Sequence, residues 1–232
     1  MAENKELKVE RLVAGGDGLA FLDGKAVFVP FALPGELVLA SIVESKRDFA
    51  KASLVEVLSP SPHRVAPPCP IYGECGGCNL QHLAYQRQVA EKAAIVAESF
   101  RRLAHIDPGD LSAVPSLPFA YRNRVQLHFT AEGRLGFMRR ASNSVVEAAT
   151  CPVAVKALQS WIEARAGTRR ALDELAPFIV GKDRFLAYGF GEDLYLEGRD
   201  EVVVVPVAGQ LIRFHIKGFF QSNLYLLDRF VT

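Results

Sequence analysis

Short apolar runs separated by turn residues fill the first quarter of the chain and predict a series of short strands. The turns read GGDG, DGK, ALPGE and ESKRD. Five short strands within about 50 residues are typical of a small antiparallel, OB-like β-barrel. The five runs are Leu7–Val13, Leu19–Leu22, Ala26–Val29, Leu37–Val43 and Phe49–Leu58.

Beyond this barrel, the pattern alternates between helical and extended segments and predicts a mixed α+β unit. Residues 59–70, SPSPHRVAPPCP, are too rich in proline to continue a helix and form a connector. Helical spacing of apolar residues predicts helices over Leu83–His105 and from Cys151 to about Ala166. The first helix has its apolar stripe at Val89, Ala93, Val96, Phe100 and Leu103.

Strands are expected in the second half of the chain, both within residues 121–150 and after the second helix. In the first of these strands, alternation predicts a buried face of Val125, Leu127 and Phe129 and a polar face of Arg122, Arg124, Gln126 and His128. The later strands are expected at Arg184–Phe190, Asp193–Glu197, Glu201–Val207 and Gln210–Ile216.

The composition limits the classes of protein to which the chain can belong. The chain has 232 residues, 50% of them hydrophobic and 23% charged, with a formal net charge of +1. No apolar run approaches the roughly 18–20 residues of a membrane span, and the start, MAENKELKVE, is not a secretory signal. We therefore expect a soluble cytoplasmic protein with no membrane partner. Near-neutral charge means that any polyanion site is a local patch.

Four cysteines carry the strongest chemical signal. Cys69, Cys75 and Cys78 lie within ten residues, in CPIYGECGGC, and Cys151 is far away in the sequence. The neighbouring glycines allow a tight loop whose N–H groups point at sulfur. This three-plus-one grouping favours an iron–sulfur site over zinc, for which His63 and His82 are further candidate ligands.

Several motifs occur in the order found in one enzyme family. They are CPIYGECGGCNLQHLAYQRQVAEKAAIVAESFRRL, YRNRVQLHF, LGFMRRASNSVVEAATCPV and GFFQSN. The chain resembles the S-adenosylmethionine-dependent RNA 5-methyluridine methyltransferases of the RumA/TrmA type, and its barrel resembles the TRAM domain that precedes the cluster region in many of them.

The resemblance implies a 4Fe–4S cluster bound by Cys69, Cys75, Cys78 and Cys151, with a structural or RNA-positioning role. It also implies that Gln221, in GFFQSN, contacts S-adenosylmethionine. The family methylates C5 of a uridine flipped out of folded RNA, through a covalent cysteine adduct. Phe219 and Phe220 are expected as a stacking surface or as core residues.

The sequence departs from the family after GFFQSN. No Gly-rich cofactor turn of the Rossmann type follows, and all four cysteines are assigned to the cluster. We therefore predict an α+β chain from which the Rossmann-type methyltransferase domain is absent, and a part that is not catalytically competent by itself, so no catalytic residue is assigned. The predicted domains are a TRAM/OB-like barrel at 1–60, a cluster-binding α+β domain at 61–218 and, at 219–232, the start of the missing methyltransferase domain. The alternative is a stand-alone RNA-binding module with a zinc or iron–sulfur site; an electron-transfer protein is a third hypothesis.

RNA is the expected partner, ribosomal RNA rather than transfer RNA because transfer-RNA members can lack the barrel, and the protein is expected to be a monomer. Basic and aromatic residues together suit phosphate contacts and base stacking. The candidate RNA contacts are Lys25, Lys46, Arg47, Lys51, Arg122, Arg124, Arg139, Arg140 and Phe219.

Overall fold

A computed structural model describes residues 4–179, 181 and 183–231, and these pack into two compact units. The first unit takes its described residues from Met1–Pro67 and Cys78–Pro115. The second takes them from Pro68–Gly77 and Ser116–Thr232. The predicted domains at 1–60, 61–218 and 219–232 divide the chain along the sequence rather than by packing, and they stay a prediction.

The first unit is built on one sheet of six strands, where the apolar pattern predicts five. The strand order is β1-β5-β6-β4-β3-β2, with β4 and β6 parallel and every other pair antiparallel. The strands are β1 (Asn4–Lys8), β2 (Arg11–Leu12), β3 (Gly18–Leu22), β4 (Lys25–Val29), β5 (Leu37–Ser45) and β6 (Phe49–Ser59).

The extra strand arises because the first apolar run changes partner partway along. Strand β1 pairs with β5 at one edge of the sheet, and β2 pairs with β3 at the other. Between them, the Val9 N–H donates to the Glu36 carbonyl at 2.9 Å and the Glu10 N–H to the Leu19 carbonyl at 2.8 Å. One segment of chain thus joins both edges, which closes the sheet into a barrel.

Small and β-branched residues fill the barrel interior. A Cβ added to Gly18 would lie 2.8 Å from the Ala32 carbonyl oxygen and 2.9 Å from a methyl group of Val9. Glycine is therefore required there by close approach of the backbone. The core residues are Leu7, Val9, Ala20, Val27, Val29, Ala32, Val38, Ala40, Ala50 and Ala52.

A helix follows the barrel in the same unit, but it buries a different face from the predicted one. Helix α1 spans Tyr85–Ser99 and continues as a π-helix over Phe100–Ala104. Within α1, Glu91 and Ala97 are buried, whereas Val96, Phe100 and Leu103 of the predicted stripe are 46%, 44% and 72% exposed. The helix instead packs through Ile95 against a cluster of leucines, Leu12, Leu33, Leu80 and Leu83.

The second unit contains a five-stranded antiparallel sheet with the order β11-β10-β7-β8-β9. Its strands are β7 (Arg124–Phe129), β8 (Leu135–Met138), β9 (Val145–Glu147), β10 (Arg184–Phe190) and β11 (Asp193–Leu196). Val125 and Leu127 are buried as the alternation predicts, and His128, predicted on the polar face, is buried too.

Two short helices cover this sheet, α2 (Lys156–Glu163) and α3 (Arg170–Leu175). Helix α2 begins five residues later than predicted because the chain after Cys151 forms a turn and a bridge from Ala154 to Arg122. The shared core includes Leu127, Leu158, Trp161, Ile162 and Phe185.

A hairpin of β12 (Val202–Val207) and β13 (Gln210–His215) carries a second core in the same unit. That core holds Tyr188, Val203, Val205, Val207, Ile216 and Leu227, and the short helix α4 (Leu227–Val231) ends the described chain. In the part of the chain that the structure describes, no helix is long and apolar enough to cross a membrane.

Candidate functional site

The GFFQSN segment lies against the residues that lead into β7. The Asn123 N–H donates to the Ser222 carbonyl at 3.0 Å, and Arg122 forms an antiparallel bridge with Asn223. The Asn223 side chain accepts the Tyr225 N–H at 3.1 Å and so starts the next helical turn. Two motifs about 100 residues apart in sequence, YRNR and FFQSN, are therefore one structural feature.

Asn123 lies at the centre of this feature and was not singled out in the sequence. Its side chain is fully buried, and its Nδ2 donates to the Tyr188 hydroxyl at 2.6 Å and to the Gln221 carbonyl at 3.2 Å. Burial raises the pKa of the Tyr188 phenol, so the hydroxyl stays protonated. One feature of the sequence could have drawn attention to Asn123: it is a polar residue in a predicted strand, and an arginine lies on each side of it.

The aromatic residues of the segment have separate roles. Phe220 stacks on Phe214 with ring centroids 4.2 Å apart, and Phe214 meets Tyr188 edge to face at 5.4 Å. Phe219, in contrast, is 82% exposed. The sequence left open whether these two residues are core residues or a stacking surface. Phe220 is a core residue, and Phe219 is a surface residue.

Gln221 presents its side chain to solvent, while its backbone is held by Asn123. In the described chain, its amide group makes no hydrogen bond. An exposed amide on a fixed backbone can donate to and accept from a polar ligand.

Arg122 and Arg124 flank Asn123 and are both half-buried. Within the described residues neither guanidinium forms an ion pair, and the Nε of each is buried without a hydrogen-bond partner. A half-buried charge without a partner is unfavourable, and it favours binding of an anion at this position. An anion such as a phosphate is the kind of ligand that suits each of these two arginines.

The other two candidates, Arg139 and Arg140, lie beside the cysteine loop. Arg139 forms an ion pair with Glu74, and the Arg140 N–H donates to the Glu74 carbonyl at 2.7 Å. The loop is fixed to the sheet by a bridge between Cys75 and Arg139 and by the Gly76 N–H, which donates to the Met138 carbonyl at 3.0 Å. These two arginines therefore help to hold the loop in place.

All four cysteines are half-buried. The Gly77 N–H donates to the Cys75 sulfur at 3.4 Å, the contact expected of a thiolate in a metal-binding loop, and Cys151 packs on the core of the sheet. Cys69, Cys75 and Cys151 belong to the second unit and Cys78 to the first. Thiolates are suitable metal ligands, and no group of three or more Cys, His, Asp or Glu residues has metal-binding geometry among the residues described.

The basic residues of the barrel are engaged in local contacts. Lys46 and Lys51 both pair with Glu44, at 3.0 and 2.9 Å, and these hydrogen bonds lower the pKa of the Glu44 carboxyl. Lys25 donates to the Ser45 hydroxyl and to the Lys46 carbonyl, and Arg47 lies 3.9 Å from Asp48. The four residues lie around the β5–β6 turn, on the surface of the first unit.

The first unit also contains a buried ion pair that the sequence pattern did not reveal. Glu36, within the ALPGE turn, is fully buried and binds Arg64 from the proline-rich connector. His82, proposed above as a possible zinc ligand, is buried beside them, and burial together with the Arg64 charge lowers its pKa to about 4. His82 is therefore neutral at physiological pH.

The barrel and the region that follows it are similar to known proteins. The family model of the TRAM domain matches residues 3–55. The chain is 43% identical over 159 residues to an uncharacterized RNA methyltransferase of Aquifex aeolicus, a match that covers 68% of this chain and 37% of that protein. It is 44% identical over 151 residues to the 23S rRNA (uracil(1939)-C(5))-methyltransferase RlmD of Aeromonas hydrophila, covering 62% and 34% of the two chains.

One solved structure shares the fold over nearly the whole chain. It is the Pyrococcus abyssi tRNA (uracil-54, C5)-methyltransferase in complex with S-adenosyl-L-homocysteine, with a TM-score of 0.62 and 22% identity. The match covers 97% of this chain and 63% of that one. The chain thus contains a TRAM domain, is similar in sequence to RNA methyltransferases and spans little more than a third of the two curated relatives that it matches.

The structural match overturns three linked predictions. The fold class that left out the methyltransferase domain is wrong, because 97% of the chain follows the fold of a methyltransferase. The same finding overturns the prediction of a catalytically incompetent N-terminal part and the statement that the chain lacks the catalytic domain. Those predictions rest on the lack of a Gly-rich cofactor turn after GFFQSN and on the assignment of every cysteine to a metal, and neither observation determines a fold.

Proposed function

We propose that the protein is an S-adenosylmethionine-dependent methyltransferase that methylates C5 of a uridine in RNA. The observation that carries the proposal is the sequence similarity to RNA methyltransferases, at 43% and 44% identity over more than 150 residues. The fold shared with a uracil-C5 methyltransferase that binds S-adenosyl-L-homocysteine supports the same reaction and the same cofactor.

The site around Asn123 supplies groups suited to both ligands. In this proposal the Gln221 amide binds the cofactor, and Arg122 and Arg124 bind RNA phosphates. Phe219, which is 82% exposed, offers a ring on which a base can stack. The lysines around Glu44 add a weaker, exposed contact from the barrel.

The cysteines are proposed to bind a 4Fe–4S cluster through Cys69, Cys75, Cys78 and Cys151. The hydrogen bond from Gly77 to the Cys75 sulfur and the glycine-rich loop support this assignment. A cluster bound in this way would link segments that are distant in sequence, so its contribution would be to fold stability and to the position of the neighbouring arginines.

Ribosomal RNA is the proposed substrate, and the proposed working state is a cytoplasmic monomer. The TRAM domain and the similarity to a ribosomal RNA methyltransferase favour this choice. The structural neighbour acts on transfer RNA, so the experiment has to compare the two RNA classes directly.

The test uses the protein purified without oxygen and S-adenosylmethionine with a tritiated methyl group. Unmodified 23S ribosomal RNA and unmodified transfer RNA are supplied in separate reactions, digested to nucleosides and separated by chromatography. We expect tritium in 5-methyluridine, with more from ribosomal RNA. Label in a different nucleoside, or cofactor binding without transfer to either RNA, would contradict the proposal.

A variant pair links the activity to the site. Gln221→Ala should weaken binding of the cofactor by about tenfold, the effect of losing one hydrogen bond to a ligand. Gln210→Ala removes another exposed glutamine, at the start of β13, and should leave the affinity unchanged. Equal affinities in the two variants would remove Gln221 from the cofactor site.

A further inference from the structure

We propose that Asn123 is a positioning residue, whose buried amide fixes the backbone of Gln221 so that the Gln221 side chain is presented in one orientation. The inference rests on the proposed function, because Gln221 is the residue proposed to bind the cofactor. Asn123 itself touches neither ligand in this proposal. It acts through the carbonyl group of Gln221, at 3.2 Å from its Nδ2.

Asn123 is fully buried. A fully buried amide is unfavourable unless its donors are satisfied. Both Nδ2 protons of Asn123 are used, one on the Tyr188 hydroxyl and one on the Gln221 carbonyl, whereas its Oδ1 is buried without a hydrogen-bond partner among the described residues. An apolar residue of similar size would satisfy the packing of this position equally well, but it could not hold a carbonyl group.

The contacts around Asn123 and the GFFQSN segment form a closed ring. Asn123 binds Tyr188, the Tyr188 ring packs on Phe214, and Phe214 stacks on Phe220. Phe220 is the residue directly before Gln221, so the ring holds the segment by a side chain at one position and by a carbonyl at the next. Only the outward-facing groups of the segment, the side chains of Phe219 and Gln221, remain exposed.

The side chain and the backbone of Asn123 make separate contacts with the segment, so the side chain can be tested by itself. The hydrogen bond from the Asn123 N–H to the Ser222 carbonyl is made by backbone atoms, which every variant at position 123 other than proline retains. A change of side chain therefore removes the contact with Gln221 and leaves the backbone contact between residues 123 and 222 available.

Asn123→Asp is the primary variant, since it keeps the shape and replaces the donor group with an oxygen that repels the Gln221 carbonyl. Tyr188→Phe removes only the hydroxyl and keeps the bond to Gln221. Ile162→Val is the matched control, because it weakens the core of the same unit away from the segment. Asn123→Ala serves as a second variant if N123D does not give a cooperative unfolding curve.

Two measurements on the full chain test the proposal: hydrogen exchange of peptides covering residues 219–226, and the affinity for S-adenosyl-L-homocysteine by calorimetry. We expect N123D to speed exchange in these peptides at least tenfold and to weaken the affinity about tenfold. We expect Y188F to change both much less, and I162V to lower stability without changing either.

The outcomes separate the two proposals. Exchange and affinity in N123D no different from those in I162V would overturn the positioning role, because Asn123 would then act only through stability. A wild-type protein that binds no S-adenosyl-L-homocysteine would overturn the proposed function instead. The exchange data would still decide in that case whether Asn123 holds residue 221.

Discussion

Arg64 binds the carboxylate of Glu36 through two parallel hydrogen bonds, from Nε at 2.6 Å and from Nη2 at 2.7 Å. Glu36 also accepts the backbone N–H groups of Leu33 and Ser61, at 2.8 and 3.0 Å. Burial opposes ionisation of Glu36, but these four bonds outweigh it and lower the pKa of the carboxyl below its ordinary 4.5. The pair joins the barrel turn to the connector that follows the barrel.

Removal of the Arg64 side chain should therefore lower the stability of the fold. Arg64→Met leaves a charged carboxylate buried without its partner, and we expect the free energy of unfolding to fall by about 3–5 kcal/mol. Urea denaturation at pH 7 measures the change. Arg47→Ala, which removes an exposed pair with Asp48, is the control and should cost less than about 0.5 kcal/mol. Similar losses in both variants would show that the buried pair does not stabilise the unit.

His82 should make stability depend on pH. Its pKa is about 4 in the folded protein and 6.5 in an exposed histidine. The unfolded chain therefore takes up a proton first, so stability is complete above pH 6.5 and is lost as the pH falls towards 4. The slope should approach about 1.4 kcal/mol per pH unit. Unfolding curves of His82→Gln should lack this slope, whereas the exposed-site control His63→Gln should keep it.

Arg122 and Arg124 should contribute to RNA affinity through their charge. The double variant R122A/R124A should bind RNA at least tenfold more weakly at low salt. The slope of log affinity against log salt should fall by roughly 1.4, since each single-strand phosphate contact contributes about 0.7. Filter binding over a salt series measures both quantities. Arg170→Ala, which removes an arginine already paired with Glu174, should change neither. An unchanged slope in the double variant would exclude these residues from the RNA contact.

Cys151 should be needed for metal retention. In protein purified without oxygen, we expect iron and acid-labile sulfide in equal amounts, with a broad visible absorption. Cys151→Ser should lose most of both, and Thr150→Ser, the neighbouring change, should retain them. Zinc in a stoichiometric amount without iron would contradict the iron–sulfur proposal.

The exposed side of the π-helix should tolerate polar substitution. Leu103 is 72% exposed, and Leu103→Ser should change the free energy of unfolding by less than about 0.5 kcal/mol. Ile95→Ser removes a packing residue of the leucine cluster and should cost about 2 kcal/mol or more. Thermal unfolding of the two variants measures both changes. If the apolar stripe predicted from the sequence were the buried face, Leu103→Ser would lower stability more than Ile95→Ser.

The strands could be predicted largely because turns and alternation are local signals. The runs Leu37–Val43 and Phe49–Leu58 correspond to β5 and β6 within two residues at each end. The helix also lies where its periodicity placed it, but its buried face does not. Apolar spacing indicates which residues share a face, and it does not indicate which face a neighbouring element covers.

The site could be predicted only in part, because its geometry depends on contacts between distant segments. GFFQSN and the arginines of YRNR were recognised separately, but nothing local indicates that Asn123 holds Gln221. His128 illustrates the same limit: alternation assigned it to a polar face, yet it is buried in the middle strand of the sheet, where desolvation lowers its pKa. Glu36 lies in a turn of the sequence pattern, and its partner, Arg64, lies 28 positions further on, so no local signal indicates the pair.

The segment that contains β1 and β2 pairs first with β5 and then with β3, and this arrangement has a consequence for solubility. Because one segment pairs with both edges of the barrel sheet, it occupies the Leu37–Ser41 part of β5 and the Gly18–Leu19 part of β3, and these backbone groups are not available to another chain. Loss of residues 4–12 would uncover two edges at once, and unprotected edges are the usual starting point of intermolecular strand pairing. This short segment therefore protects the first unit against aggregation, a role that its few hydrogen bonds alone would not suggest.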